Sequence, residues 1–395
     1  MDQAAFDILL AEFTPLFQML CARSRIWAAD EEQVIAGGGN VSVKCSFRGE
    51  WFVFIKRSGM TLRHLQPADL VGLRAAALLQ LLGATFSSDP TTREDEYKSV
   101  LMAARIMPAL GQRASVESAM HMLGFRYVVH FHTTLVNMIT CCLDGRRITQ
   151  ELFGDRVCFL DYVFPGIVLA KVVAANSTGH QFQNGAQVYF LGNHGVVFVA
   201  DELDVVQDLI DAVLGPIRAR LATLSPSSAN AAVLNASEEA DGFGHALVSA
   251  CNKRQVGGQF AVCHLADDVV TMCLSHPEAK DAALAGPLTP DQVVYCKPDI
   301  LWLEPHSRVG DVASAVQHFL ESRQYLPRVV LHPSLGLFTL GANATAATTA
   351  QRVYRDAMRI AHGARLLGGV KHMTAAEAWD IERWEVEAFR RNAAT

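Results

Sequence analysis

The chain of 395 residues has no run of lysine and arginine. Its 34 basic and 40 acidic residues give a formal net charge of −6, spread along its length. That balance excludes a nucleic-acid or polybasic membrane role, because binding a phosphate backbone or an anionic surface needs clustered positive charge. Cysteine is present but unorganised: nine residues are scattered from Cys21 to Cys296 without a CxxC pair. Neither a disulfide framework nor a zinc ribbon is expected, and reduced, mostly buried thiols suit a cytoplasmic protein. No stretch of about eighteen apolar residues is found, so no membrane span is expected. The opening MDQAAFDILLAEF has no basic region and reads as an amphipathic helix rather than a secretory signal. No Gly-rich loop sits between a strand and a helix, so a dinucleotide fingerprint is missing too. What the chain has is apolar bulk, 50% hydrophobic against 19% charged. That is enough for sizeable cores in about two to three domains. Small-molecule chemistry is the class left standing.

The stretch around which the rest is organised is YVVHFHTT, Tyr127 to Thr134. It reads as a buried strand, and because side chains alternate along a strand, His130 and His132 share a face while Phe131 points away. Two neighbouring imidazoles suit a divalent metal. His194 lies in a tight Gly-Asn-His-Gly turn ahead of the apolar run VVFV. Three histidines with a fourth position open is the pattern of a catalytic zinc site, not of a closed structural one.

Upstream, GGGNVSVKCSF and WFVFIK form a hairpin around Arg48-Gly49. Its glycines either let backbone approach an anionic ligand, with Asn40, Ser58 and Gly59 as donors, or serve as ordinary hairpin loops. The pattern predicts helices over residues 3–23, about 66–82, 146–153, 201–224, 344–367 and 375–392, and another in GDVASAVQHFLESRQY. QFAVCHLADDVVTMCLSH and PDQVVYCKPDILWLE read as strands, as do two segments within PRVVLHPSLGLFTLG. In RASVESAMHMLGF, Ser115 is the expected N-cap of a short helix with Glu117 in its first turn. Glu117 there either complements the helix dipole or, as the helix runs into the HFH strand, serves the metal as ligand or acid/base. Residues 225–240, rich in Ser, Ala and Asn, are the expected linker between domains at 1–224 and 241–395. In the second of these, His264, His276 and His332 are isolated and form no catalytic constellation.

In that order along the first 224 residues, GGGNVSVK, KRSGM, SVES, HFH and GNHG resemble the class II aldolase/adducin family. The C-terminal half, through GPLTPDQVVYCKPDILWLE, PRVVLHPSLGLFTLG and AAEAWDIERWEVEAF, is similar to the middle segment of bacterial rhamnulose-phosphate aldolase/dehydrogenase fusions, with no dehydrogenase part recognised here. The resemblance implies an α/β fold: an α/β/α layered domain with a central, largely antiparallel sheet, plus a smaller C-terminal α/β domain. It implies that His130, His132 and His194 bind Zn2+ or another divalent transition metal, and that Glu117 is the catalytic acid/base. It implies that Asn40, Ser58, Gly59 and Ser115 hold the anionic end of a small-molecule substrate. Val116 stands where simple sugar-phosphate aldolases carry a second serine, which removes one phosphate donor. The implied activity is a lyase of carbohydrate metabolism, performing reversible aldol cleavage of a hydroxy-ketone or sugar phosphate through an enediolate stabilised by the metal. A decarboxylase or epimerase using the same site is the alternative, and an adducin-like scaffold without catalysis is the alternative of another class. The family further implies a homo-oligomer, commonly a tetramer.

Overall fold

Runs of β-branched and aromatic residues bounded by Gly and Asn fold into strands here, and the apolar pattern decides how many of their faces are covered. The computed structural model describes residues 1–177, 179, 182, 185–224, 238–254 and 259–384. The chain divides into two compact units, Met1–Thr140 with Asp144–Ala222, and Thr223–Thr395 with Cys141–Leu143.

The first unit is built on a seven-stranded sheet. Its strands are β1 (Asn40–Phe47), β2 (Glu50–Lys56), β3 (Leu70–Arg74), β4 (Tyr127–Phe131), β5 (Val157–Leu160), β6 (Gln187–Leu191) and β7 (Gly195–Ala200). They lie in the order β3-β2-β1-β4-β7-β6-β5. Every pairing is antiparallel except β5 with β6. The HFH strand β4 is thus the middle of the sheet, between β1, which sets Asn40 opposite His130, and β7, which sets Val196 opposite Phe131. All residues of β4, β6 and β7 are buried. A strand buried on both faces needs cover on both, which gives the layered α/β/α arrangement.

Helix Gln3–Trp27 lays Phe17 on Phe54 of β2, with ring centroids 4.5 Å apart, and Trp27 edge-on to Phe131 of β4 at 5.7 Å. An 18-residue window of this helix has a mean hydropathy of 1.4, so by length and composition it meets the measure of a membrane span, which the sequence was not expected to contain. Its buried Phe6, Leu9, Phe17, Leu20 and Trp27 are occupied in packing.

Some expected elements differ. The helix expected from about residue 66 is a 3-10 turn, Pro67–Asp69, then β3, and only Ala75–Gly83 is helical. Leu70–Leu73 serve the sheet edge beside β2, a tertiary demand that overrides their helical spacing. Ser115 does not cap a helix: the turn that follows is 3-10, Ser118–Met122, and Glu117 occupies its cap position.

The second unit has four strands, β8 (Ala261–Leu265), β9 (Leu301–Trp302), β10 (Val329–His332) and β11 (Gly336–Gly341), in the order β8-β11-β10-β9. Phe243, Val316, Phe338 and Leu340 centre its core. Helix Ala344–Leu367 packs Ala346, Ala347 and Ala350 inward, and small side chains there let it come close to β11: a Cβ on Gly341 would lie 2.3 Å from the Ala347 nitrogen. Two segments expected as strands are partly helical, Asp268–Leu274 and Pro290–Cys296. Each opens on a side-chain cap, Asp267 accepting from Val270 N–H and Thr289 from Gln292 N–H, and these caps outweigh the β-branched content. Of the expected linker, residues 225–237 lie outside the described residues, while Glu238, Glu239 and Ala240 already belong to helix Glu238–Asn252. Of the expected last helix, Ala375–Arg383 is helical and residues 385–392 lie outside the described residues. No disulfide joins the nine cysteines.

Candidate metal centre

The end of β4 and the turn between β6 and β7 bring three imidazoles together. Ring centroids of His130, His132 and His194 form a nearly equilateral triangle, with sides of 4.8, 4.9 and 4.9 Å. Their ligand atoms all lie within 4.8 Å of one another. The Nε2 atoms of His130 and His132 are 3.0 Å apart. Nitrogens coordinating one tetrahedral zinc at about 2.0–2.1 Å must stand roughly 3.3 Å from each other, so the spacing suits such an ion.

The tautomer of His130 is fixed from behind. Its Nδ1–H donates to the carbonyl of Val196 at 2.9 Å, leaving Nε2 with a lone pair that faces the trio. This is the outer hydrogen bond that orients a metal-binding histidine, and here the sheet itself supplies it. Backbone proximity is equally demanding at the turn. A Cβ on Gly195 would stand 2.3 Å from the Phe131 carbonyl, so only glycine lets the His194 turn close onto the HFH strand. Asn193 takes φ 52°, in the left-handed region, to complete that turn. On the other side Gly39, at φ +72°, has no room for a Cβ against His130 O at 2.5 Å.

Glu117 completes the site. Its Oε1 is 3.4 Å from His194 Nε2 and its Oε2 3.7 Å from His130 Nε2. Burial alone would raise its pKa, but the rings of His130, His194 and His132, with the Asn40 amide, outweigh that and pull it down to about 2. The carboxylate is therefore ionised at neutral pH. Asn40 Nδ2 donates to Glu117 Oε2 at 2.6 Å. Tyr97, fully buried, donates its hydroxyl to Val116 O at 2.8 Å and fixes the backbone just before Glu117.

Behind Asn40 lies a residue whose role its spacing did not reveal. His121 is fully buried, its Nε2 contacts Asn40 Oδ1, and its Nδ1 lies 2.7 Å from Ser42 Oγ. Burial first, and the nearby Lys44 and His130 after it, hold the ring neutral, with a pKa well below the ordinary histidine value. A neutral ring that donates from Nε2 to the amide oxygen accepts at Nδ1 from the serine. The chain Ser42, His121, Asn40, Glu117 is thus consistent in every donor and acceptor, and it turns the Asn40 amino group toward the carboxylate. In the sequence, His121 stands four residues after Glu117, a spacing that suits a shared helix turn. The strand register supplies the real connection.

Of the remaining expected residues, Ser115 accepts from Glu117 N–H through its Oγ at 3.3 Å. Ser58 and Gly59 follow a segment paired with the residues just before Ser115: Ser58 N–H donates to Arg113 O at 2.8 Å, and Arg57 bridges to Ala114. Lys56, only 3% exposed, donates to Met60 O at 2.7 Å and Gly37 O at 3.4 Å, tying the Ser58-Gly59 loop to the glycine loop ahead of Asn40.

Residues 18–213 match the class II aldolase and adducin N-terminal domain, and residues 317–390 match the second domain of class II aldolases. A curated relative, an uncharacterised oxidoreductase named YuxG from Bacillus subtilis, is 23% identical over 94% of this chain and 57% of its own length. The chain therefore spans a little over half of that relative. Among solved structures, the N-terminal class II aldolase domain of a Thermoplasma acidophilum protein is 23% identical with a TM-score of 0.45, covering 51% of this chain and 92% of that one. An L-fuculose-1-phosphate aldolase from Thermus thermophilus is 19% identical with a TM-score of 0.34, covering 54% and 95%. With both domain matches in chain order and the motifs of the first assembled around one strand, this chain belongs to the class II aldolase/adducin family.

Proposed function

We propose that the chain is a divalent-metal-dependent carbon–carbon lyase that cleaves a hydroxy-ketone or sugar phosphate by a reversible retro-aldol reaction. The observation that carries this reading is the convergence of three imidazoles on one point, with an ionised carboxylate 3.4 and 3.7 Å from two of their nitrogens. His130, His132 and His194 would hold the ion, zinc by the nitrogen donor set, and Glu117 stands beside it. When bound, a divalent cation supplies positive charge to polarise the substrate carbonyl and stabilise the oxyanion that follows carbon–carbon cleavage.

The chain's own residues do the rest. Glu117 Oε1, the oxygen not tied by Asn40, accepts the proton of the substrate hydroxyl as the bond breaks and returns it to the carbon left behind. Asn40 holds Oε2, so the carboxylate swings little between these tasks. Ser115, Ser58 and Gly59 would serve as donors for the anionic end of the substrate. Val116 offers no donor, so the site suits a substrate with a singly charged or lightly bonded end better than one whose phosphate needs every donor. We take the enzyme to be cytoplasmic and homo-oligomeric, as the family resemblance of its motifs implies.

The test is metal analysis of purified protein by mass spectrometry, followed by incubation with ketose phosphates, unphosphorylated ketoses and 3-oxo acids. Two carbonyl fragments support the lyase reading. Carbon dioxide or a stereoisomer instead would reassign the same site to decarboxylation or epimerisation, and protein that takes up no divalent metal would remove the reading altogether.

A further inference from the structure

The second unit contains a cavity of about 430 Å³ formed wholly by its own residues, within the range of small-molecule sites. Most of its wall is apolar, with Leu288, Leu331, Ala357, Met358, Ala361 and Val370 among the lining side chains. Set into that wall are one guanidinium, Arg365, and two imidazoles, His362 and His372. None of the three belongs to the metal centre, and no motif discussed above includes them.

We propose that this cavity is a binding site for a small organic monoanion, a carboxylate on an apolar body, separate in composition and chemistry from the metal centre. The polar atoms decide the class of ligand. Arg365 is half-buried, and among the described residues its side chain has no carboxylate partner; its one hydrogen bond goes from Nη2 to His362 Nδ1, at 3.0 Å. A charge withdrawn from water without a counter-ion is costly, so a site that keeps one is completed by an anion. Because His362 accepts at Nδ1, its Nε2 carries the proton and is a second donor for the same anion. His372 is the complement: its Nδ1–H donates to Gly286 O at 2.8 Å, which leaves Nε2 as an acceptor for a hydroxyl or amide on the ligand. Burial holds both rings below the ordinary histidine value, in keeping with these neutral tautomers.

Two exposed carboxylates, Glu278 and Asp281, also line the cavity. They are well solvated and do not cancel the half-buried guanidinium, but they weigh against a doubly charged phosphate. The apolar majority of the wall then takes the hydrocarbon part of the ligand. Cys273 lines the cavity too, yet burial pushes its thiol up to about 11, so it stays protonated and the site binds rather than reacts.

The test uses the full chain and isothermal titration calorimetry with four probes: octanoate, octyl phosphate, octylamine and octanol. Octanoate is expected to bind tightest, and to weaken about tenfold or more in both Arg365→Ala and Ala361→Phe, the second of which fills the cavity without touching its charge. Arg365→Gln covers the case in which either variant fails to fold, checked by circular dichroism. His132→Ala should bind octanoate as the parent does, which separates this site from anion capture by the histidine trio. No uptake of octanoate at about millimolar concentration would overturn the proposal. So would equal binding by Arg365→Ala, tighter binding of octylamine or octyl phosphate, or loss of octanoate binding in His132→Ala.

Discussion

The histidines of the two units face different company. In the first unit, His130, His132 and His194 turn their Nε2 edges toward one another, and His121 sits behind them locked between an amide and a hydroxyl. In the second, His264 and His332 are spent singly: His264 donates to Leu335 O at 2.6 Å, and the His332 ring lies 5.2 Å from Phe243 in the core. The same side chain is a candidate ligand where a sheet aims several rings at one point, and a polar core residue where it stands alone. Convergence is what separates them, and convergence is a property of strand register.

The sharpest way to break this contrast is to remove one ring from each unit. His132→Ala should abolish turnover and lower metal affinity by more than the roughly 10–100-fold typical of losing an outer partner, whereas His264→Ala should leave metal content unchanged; elemental analysis of the two purified variants checks both. Equal metal loss in the pair would erase the distinction. Next in size, Glu117→Gln is expected to keep its metal and lose about 10²–10⁴ in kcat, because the amide matches the carboxylate in shape but cannot take the proton. His121→Ala should retain metal and lose roughly 10–100-fold in kcat with KM little changed, since the ring acts by orienting Asn40; a steady-state comparison separates that from a loss of substrate binding.

Gly195→Ala probes how closely the His194 turn must approach the HFH strand. The added methyl meets the Phe131 carbonyl, so a cost of about 1–3 kcal/mol is expected in urea unfolding, with weaker metal binding as the turn is pushed away. The smallest effect concerns pH. His121 is held neutral in the fold, while in the unfolded chain it titrates near its ordinary value of about 6.5. Above that pH both states are neutral and the stability is fully present; as pH falls below it, the unfolded state takes up a proton that the fold refuses, and stability is lost. Urea midpoints at pH 7 and 5 in the presence of a chelator should therefore fall less steeply for His121→Gln than for the parent.

Much of the site was legible because its pieces are local. HFH in an apolar strand placed two rings on one side, GNHG announced a turn, and the hairpin from Asn40 to Lys56 formed as its Arg48-Gly49 turn required. Elements were misread where an apolar run fits either structure. Leu70–Leu73 joined a sheet edge, and the segment after Pro290 became a helix once Thr289 capped it. After Pro290 the Thr289 cap was the local signal, while at Leu70–Leu73 nothing local distinguishes the outcomes. The His121 relay was hidden for the same reason, since Asn40 and Ser42 lie 81 and 79 positions away from it in the chain.

The residues alone determined which chemistry was available: a strand with imidazoles at alternate positions, a glycine-bounded turn carrying a third, and an acid ahead of them, because side-chain period and turn chemistry are written within a few positions. Only the tertiary structure decided that these groups meet, which tautomer each ring adopts and which charge is left without a partner. Those outcomes depend on which strands lie side by side, and neighbours in a sheet are chosen by burial across the whole chain.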